Sequence, residues 1–203
     1  MQRLSRFPLP STPAKFGLDM LNRASALALL AGAAQTRKDG LTPQTCHYFA
    51  VQGLLAQVGV TDHSLHAVAL LHDALEDNPG ERGQRLRSEI TRTLGSAVMA
   101  MVDTLTDDAP ADMPRAERKA LQLERLAQAP RPVQLVKLAD VVASMREGPA
   151  PHWTPDYACA YVLQRRQLVR TVLAPSCSEL VACFDQALAQ PAWQVAIGAA
   201  GRL

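Results

Sequence analysis

The chain has 203 residues, a formal net charge of +2, 48% hydrophobic residues and 20% charged ones. That is the size of one domain with material for a core, and too little net charge to argue for nucleic-acid binding. Aromatic residues make up only 4%, so alanine, leucine and valine must do the packing, which favours helix over strand.

Residues 1–16 hold three prolines and little periodicity, and read as an irregular lead-in. A first helix is expected over 17–35. Arg3 and Arg6 ahead of the apolar run 24–34 have the outline of a secretory signal, but Asp19, Asn22 and Arg23 interrupt it. One amphipathic helix is the better reading. The basic turn Arg37-Lys38-Asp39-Gly40 carries a natural helix stop. Val51, Leu54, Leu55 and Val58 then mark one face of a second helix, ended by Gly59. A third starts at Thr61 or Asp62, either of which can cap it, and is expected to reach Asp77 before Asn78-Pro79-Gly80 stops it.

Leu86, Ile90 and Leu94 mark the next helix, and Val98, Met101, Val102 and Leu105 another after Gly95. Residues 106–114 read as a loop. Pro114 suits the first turn of a helix through Gln128. Residues 133–147 form the most apolar stretch with a charge inside it, and a Pro/Gly-rich break at 148–155 precedes two final helices at 155–173 and 176–190. No strand pair and no repeat is visible. The fold expected is a single all-α domain of about eight helices over 17–203.

No apolar stretch reaches the ~18 residues of a membrane span, so no membrane partner is expected. Cys46, Cys159, Cys177 and Cys183 show no C-x-x-C spacing, hence no readable zinc knot. Scattered thiols point to a reducing, cytoplasmic setting.

The chemistry concentrates in three places. The first is Leu70-Leu71-His72-Asp73-Ala74-Leu75-Glu76-Asp77. On a helix His72 and Glu76 share a face, as do Asp73 and Asp77, crowding acidic groups at a C-terminus whose dipole favours cations. A metal ion would remove that conflict; a solvated helix end is the plainer alternative. The second is Asp140, inside Leu135-Val136-Lys137-Leu138-Ala139-Asp140-Val141-Val142-Ala143. A buried carboxylate needs a partner, either a basic side chain or a metal. The third is His47. Alone it reads as a packing residue; with the others it completes a set of two histidines and two aspartates that suits Mn2+, Fe2+ or Zn2+.

The ordered pattern R-K-x-G, then H, then H-D-x-x-E-D, then K-L-A-D resembles the HD hydrolase domain of the RelA/SpoT alarmone enzymes, and more closely their stand-alone small alarmone hydrolases. The likeness runs over about 20–190. It includes Thr106-Asp107-Asp108, Glu117-Arg118-Lys119, Gln122, Glu124, Trp153 and Tyr157 or Tyr161. It implies an HD-type helical domain that hydrolyses the 3′-pyrophosphate of guanosine tetra- or pentaphosphate, (p)ppGpp, with Mn2+. His47, His72, Asp73 and Asp140 would be the ligands. Glu76 and Asp77 would orient and deprotonate the attacking water. Arg37 would lie against the base or ribose, and Lys38 would meet a phosphate. Arg118 and Lys119 are further phosphate candidates, with a solvated helix face the plainer reading. His63 and His66 read as surface or packing residues.

The sequence departs from the family pattern at Val141 and Ser144, which stand where a basic residue and an asparagine are usual. Ser144 would be the shorter substrate contact. Tyr48 replaces a proline after the first ligand histidine. No group that separates guanine from adenine is legible near the motifs, so loose base recognition is expected. The alternatives are an HD phosphatase acting on (p)ppApp, NADPH or another nucleotide, and a non-catalytic alarmone-binding partner. The intact Glu76 and Asp77 oppose the last.

Overall fold

A computed structural model describes residues 17–107, 110 and 112–199. The lead-in expected at 1–16 lies outside them. Ten α-helices follow one another among the described residues: α1 (Gly17–Gly32), α2 (Gln44–Gln57), α3 (His63–Leu71), α4 (Glu81–Leu94), α5 (Ser96–Leu105), α6 (Arg115–Gln128), α7 (Arg131–Arg146), α8 (Pro155–Leu168), α9 (Ser178–Leu188) and α10 (Pro191–Ala199). The all-α expectation holds. The stretch expected as one helix to 173 leaves α geometry at Leu168 for a π turn, Val169–Leu173. The helix α10 was not foreseen; Trp193 anchors it, fully buried and donating its indole N–H to the Met145 carbonyl at 2.7 Å.

Helix α7 lies at the centre because almost no face of it is polar enough to meet water. Nearly every residue from 133 to 145 is buried, because apolar residues fall on every side of the helix and such a helix must be enclosed. It packs against α2, α3, α5 and α9. Around it, α1 lays Ala24, Leu27, Ala28 and Ala31, a 3.6-residue stripe, into the core against α3 and α4. The apolar run 24–34 thus belongs mostly to a core helix. Among the described residues no helix is long and apolar enough to cross a membrane.

One boundary matters for the site. Asp62 caps α3 by accepting from Ser64 N, as the sequence implied. But α3 ends at Leu71, and residues 72–77 form consecutive turns instead of the further helix expected to Asp77. Two of the bonds there span only three residues, Ala74 N to Leu71 O at 3.0 Å and Asn78 N to Leu75 O at 3.2 Å. The cause lies downstream. Pro79 disfavours α geometry at the residue before it. The buried Asn78 turns its amide back, donating to the Ala74 carbonyl at 2.8 Å and the Ala31 carbonyl at 3.2 Å. Helix α4 then closes on this turn through Gly83, where a Cβ would stand 2.3 Å from the Asn78 carbonyl oxygen.

Asn78→Ala should therefore loosen the turn that follows the His-Asp pair. The loss of two buried acceptors' partner predicts about 1–3 kcal/mol of destabilisation, read as a lower midpoint in urea at unchanged slope. An unchanged midpoint would mean that the turn is held by its packing alone.

Candidate metal centre and the cavity beside it

The four expected ligands come from three mutually packed elements. His47 sits in the first turn of α2, His72 caps the C-terminus of α3 with Asp73 next to it, and Asp140 lies inside α7. One donor atom from each of the four lies within 4.8 Å of all the others. His47 Nε2 is 3.1 Å from Asp140 Oδ1, 3.3 Å from His72 Nε2 and 3.7 Å from Asp73 Oδ2. His72 Nε2 is 3.2 Å from Asp73 Oδ2 and 3.7 Å from Asp140 Oδ1. An ion held by nitrogen and oxygen at about 2.0–2.2 Å spaces neighbouring donors by about 3.0–3.5 Å. The set fits one divalent ion.

The second atoms of these groups are also placed. His72 donates from Nδ1 to the Ala69 carbonyl at 2.7 Å, leaving Nε2 to face the cluster. Asp140 is buried, and its Oδ2 pairs with the equally buried Lys137 at 2.7 Å while Oδ1 faces the imidazoles. Of the metal and the basic partner posed as alternatives from sequence, the basic partner is Lys137, and it leaves the second carboxylate oxygen facing the imidazoles. Burial alone would push the His72 imidazole down, but Asp73 and Asp140 beside it raise it to about 10. Burial likewise opposes the charge on Asp140, yet Lys137 and the histidines hold it well below the usual carboxylate range.

Glu76 and Asp77 part company. Because 72–77 is a run of turns, Glu76 faces the cavity beside Asp73, while the Asp77 carboxylate meets α2, where Tyr48 donates to it at 2.7 Å and Gln44 at 2.9 Å. The unusual Tyr48 is fully buried and also sets its ring edge against His72, centroids 5.9 Å apart. Burial, and then the charge of Asp73, raises both Glu76 and Asp77 above the ordinary carboxylate value.

The basic turn is a closed loop. A bridge joins Thr36 to Pro43, and Asp39 accepts from Leu41 N, Thr42 N and the Thr42 hydroxyl. This aims Arg37 and Lys38 inward. Arg37 donates to both carboxylate oxygens of Glu147, at 2.9 and 3.0 Å, and to Gln44 Oε1 at 3.0 Å. Lys38 donates to the Ser144 carbonyl at 3.1 Å, and its ammonium faces the rings of Trp153, Tyr161 and Trp193 at 5.0–5.6 Å. Ser144 turns its hydroxyl toward Asp140 at 3.4 Å.

Two cavities meet at Arg37 and Lys38. The smaller, about 190 Å³, opens on Asp73, Glu76 and Asp140 and is walled by Arg37, Lys38, Lys119, Lys137 and Arg165. The larger, about 550 Å³, lies on the other side of His47 and has apolar walls from Leu54, Ala143 and Ala150, with Glu147 at its edge. Of the pair Arg118 and Lys119, Lys119 reaches the small cavity, paired with Asp107 at 3.2 Å, whereas Arg118 lines a separate surface pocket. Sequence reading gave no role to Lys137, Arg165, Gln44 or Glu147. Lys137 alone had a signal, its place three residues before Asp140. His66 is a packing residue, its Nε2 donating to the Val60 carbonyl at 2.8 Å.

A family model described as HD domain matches residues 24–156. The chain belongs to the HD-domain family. Relatives named guanosine-3′,5′-bis(diphosphate) 3′-pyrophosphohydrolase MESH1 are similar to it: that of Xenopus tropicalis is 36% identical and that of Homo sapiens 35% identical, each over 115 residues, which is 56% of this chain and 60% of the relative. The chain thus spans less than two thirds of those relatives. A solved structure described as a metazoan orthologue of SpoT that hydrolyses ppGpp superposes with a TM-score of 0.74 at 25% identity, over 88% of this chain and 97% of that one.

Two outcomes follow for the HD site. Asp140→Asn keeps the shape of the side chain but removes its charge from two imidazoles and Lys137, so bound metal, read by elemental analysis, should fall sharply. Full occupancy would remove Asp140 from the ligand set. Second, an ion must displace the proton that the raised His72 carries below about pH 10. Affinity for the ion should therefore rise with pH between 6 and 9, with proton release visible by calorimetry in buffers of different ionisation enthalpy. The same shift gives the ion-free fold stability that is complete below about pH 6.5 and is lost as pH rises through about 10.

Proposed function

We propose that this protein is a metal-dependent pyrophosphohydrolase that removes the 3′-pyrophosphate of guanosine tetra- and pentaphosphate, using Mn2+, with Fe2+ or Zn2+ compatible with the same ligands. The observation that carries the reading is a cluster of two histidines and two aspartates opening into a small cavity walled by five cationic side chains. That is the chemistry a pyrophosphoryl group requires. The names of the similar proteins support the same substrate. The four cysteines are thiols, not disulfides, which agrees with a cytoplasmic setting.

A divalent ion at His47, His72, Asp73 and Asp140 would acidify water and polarise a phosphoryl oxygen. The chain's own residues supply the rest. Lys38, Lys119, Lys137 and Arg165 neutralise the pyrophosphoryl oxygens. Water attacks the phosphorus bonded to the 3′-oxygen, Glu76 accepts its proton, and that P–O bond breaks as the proton passes on to the leaving 3′-oxygen, which frees the 3′-hydroxyl and pyrophosphate. A carboxylate raised by burial and by Asp73 is better matched to that proton transfer than an ordinary one. Asp77, engaged by Tyr48 and Gln44, is in this reading the group that fixes the turn, and Glu76 the base. The apolar cavity beside Arg37 takes the nucleoside.

A second reading, an HD phosphatase acting on an adenine alarmone, NADPH or another nucleotide, is favoured by Ser144, whose hydroxyl faces Asp140 and not the larger cavity. One panel separates the two: Mn2+-dependent turnover of guanosine and adenosine 3′-pyrophosphates, NADPH and nucleoside 5′-monophosphates. Release of pyrophosphate from the guanosine compound is expected; activity confined to substrates lacking a 3′-phosphate would overturn the proposal. Glu76→Gln should keep its metal and lose about 10²-fold or more in kcat. Loss of the metal instead would make Glu76 a ligand.

A further inference from the structure

Glu147 follows the last residue of α7, outside the ligand set, and no sequence motif singles it out. Its side chain is 27% exposed, and its rotamer is fixed by the two-pronged bond from Arg37, itself held by Gln44. That fork sets Glu147 Oε1 3.3 Å from Nδ1 of His47.

The tautomer of His47 gives this distance its meaning. Its Nε2 faces Asp140, Asp73 and His72. An imidazole that offers Nε2 to an ion must carry its proton on Nδ1, and that N–H needs an acceptor. His72 meets the demand through the Ala69 carbonyl. His47 Nδ1 is buried, and without an ion it completes no hydrogen bond of good alignment. Among the described residues the acceptor facing it is Glu147 Oε1. A buried donor without an acceptor is costly, so the protonation pattern the ion demands leans on this carboxylate.

We propose that Glu147 is the positioning carboxylate of His47: it accepts the Nδ1 proton, fixes the tautomer that presents Nε2, and is itself held in place by Arg37. The inference rests on the metal centre described above. It gives Arg37 a second task beside any contact with substrate. One guanidinium braces the carboxylate that orients a ligand, so a change at the rim of the nucleoside cavity reaches the metal.

The test is calorimetric titration of Mn2+ and Zn2+ into the ion-free protein, with Glu147→Met and Glu147→Gln as variants. Glu147→Met keeps the side-chain length and removes the acceptor; affinity should drop about 10–100-fold, the usual scale for a partner behind a ligand histidine. Glu147→Gln, whose amide oxygen still accepts, should lose less. In the zinc-loaded native protein the His47 Nδ1 proton should be visible by NMR and exchange slowly, and in Glu147→Met it should broaden or vanish. Freeing Arg37 could weaken the ion by charge alone, so the double variant Arg37→Met/Glu147→Met is the control. The loss should persist there. Recovery of native affinity in the double variant, or native affinity in Glu147→Met, would overturn the proposal. A native protein that takes up neither ion would overturn the metal reading, and this inference with it.

Discussion

The site depends on a carboxylate buried in the most enclosed helix of the domain. Asp140 lies inside α7, where an unpaired charge would be very costly. The fold answers with opposite partners on its two oxygens, a lysine on one and two imidazoles on the other. Removing either partner leaves the rest uncompensated. That constraint fixes α2 and the end of α3 against α7, since His47 and His72 must both reach Oδ1. The candidate metal centre and the middle of the core are therefore one piece of structure.

A second tier of polar contacts surrounds this centre and runs through it without a break. Tyr48 and Gln44 hold Asp77, Gln44 also receives Arg37, Arg37 holds Glu147, and Glu147 lies against His47. All but the last step are hydrogen bonds, and the last is a 3.3 Å approach of Glu147 Oε1 to His47 Nδ1. The chain departs from the family pattern at Tyr48, and its hydroxyl is one of the two groups that engage the Asp77 carboxylate. The departure thus comes with a bond to a motif residue, and Glu76 is the carboxylate of the pair that faces the cavity.

Around the centre, positive charge is held still by means other than salt bridges alone. Lys38 is clasped by a carbonyl and three aromatic rings, and Arg165 lies over Tyr161 at 4.7 Å. Cation–π contact fixes an ammonium without neutralising it. Charges kept in place are what a polyanion needs to meet, since little reorganisation is then required on binding.

The sequence by itself determined the helical class and most helix positions, because each rests on local information, and it offered the four ligand candidates, His47 among them only through the other three and the family resemblance. Apolar periodicity gives helices, Asp62 gives a cap, and a carboxylate amid Leu138, Ala139, Val141 and Val142 must be buried and partnered. The end of α3 at Leu71 was not legible, since it depends on Asn78 reaching the carbonyl of Ala31, 47 residues away. Nor was α10, a short apolar segment made a helix by the docking of Trp193 onto α7. The split between Glu76 and Asp77, the reach of Lys119 against Arg118, and the contact of Glu147 with Arg37 across 110 residues are all matters of which side chains converge. Periodicity says which face is buried; only tertiary packing says what that face meets.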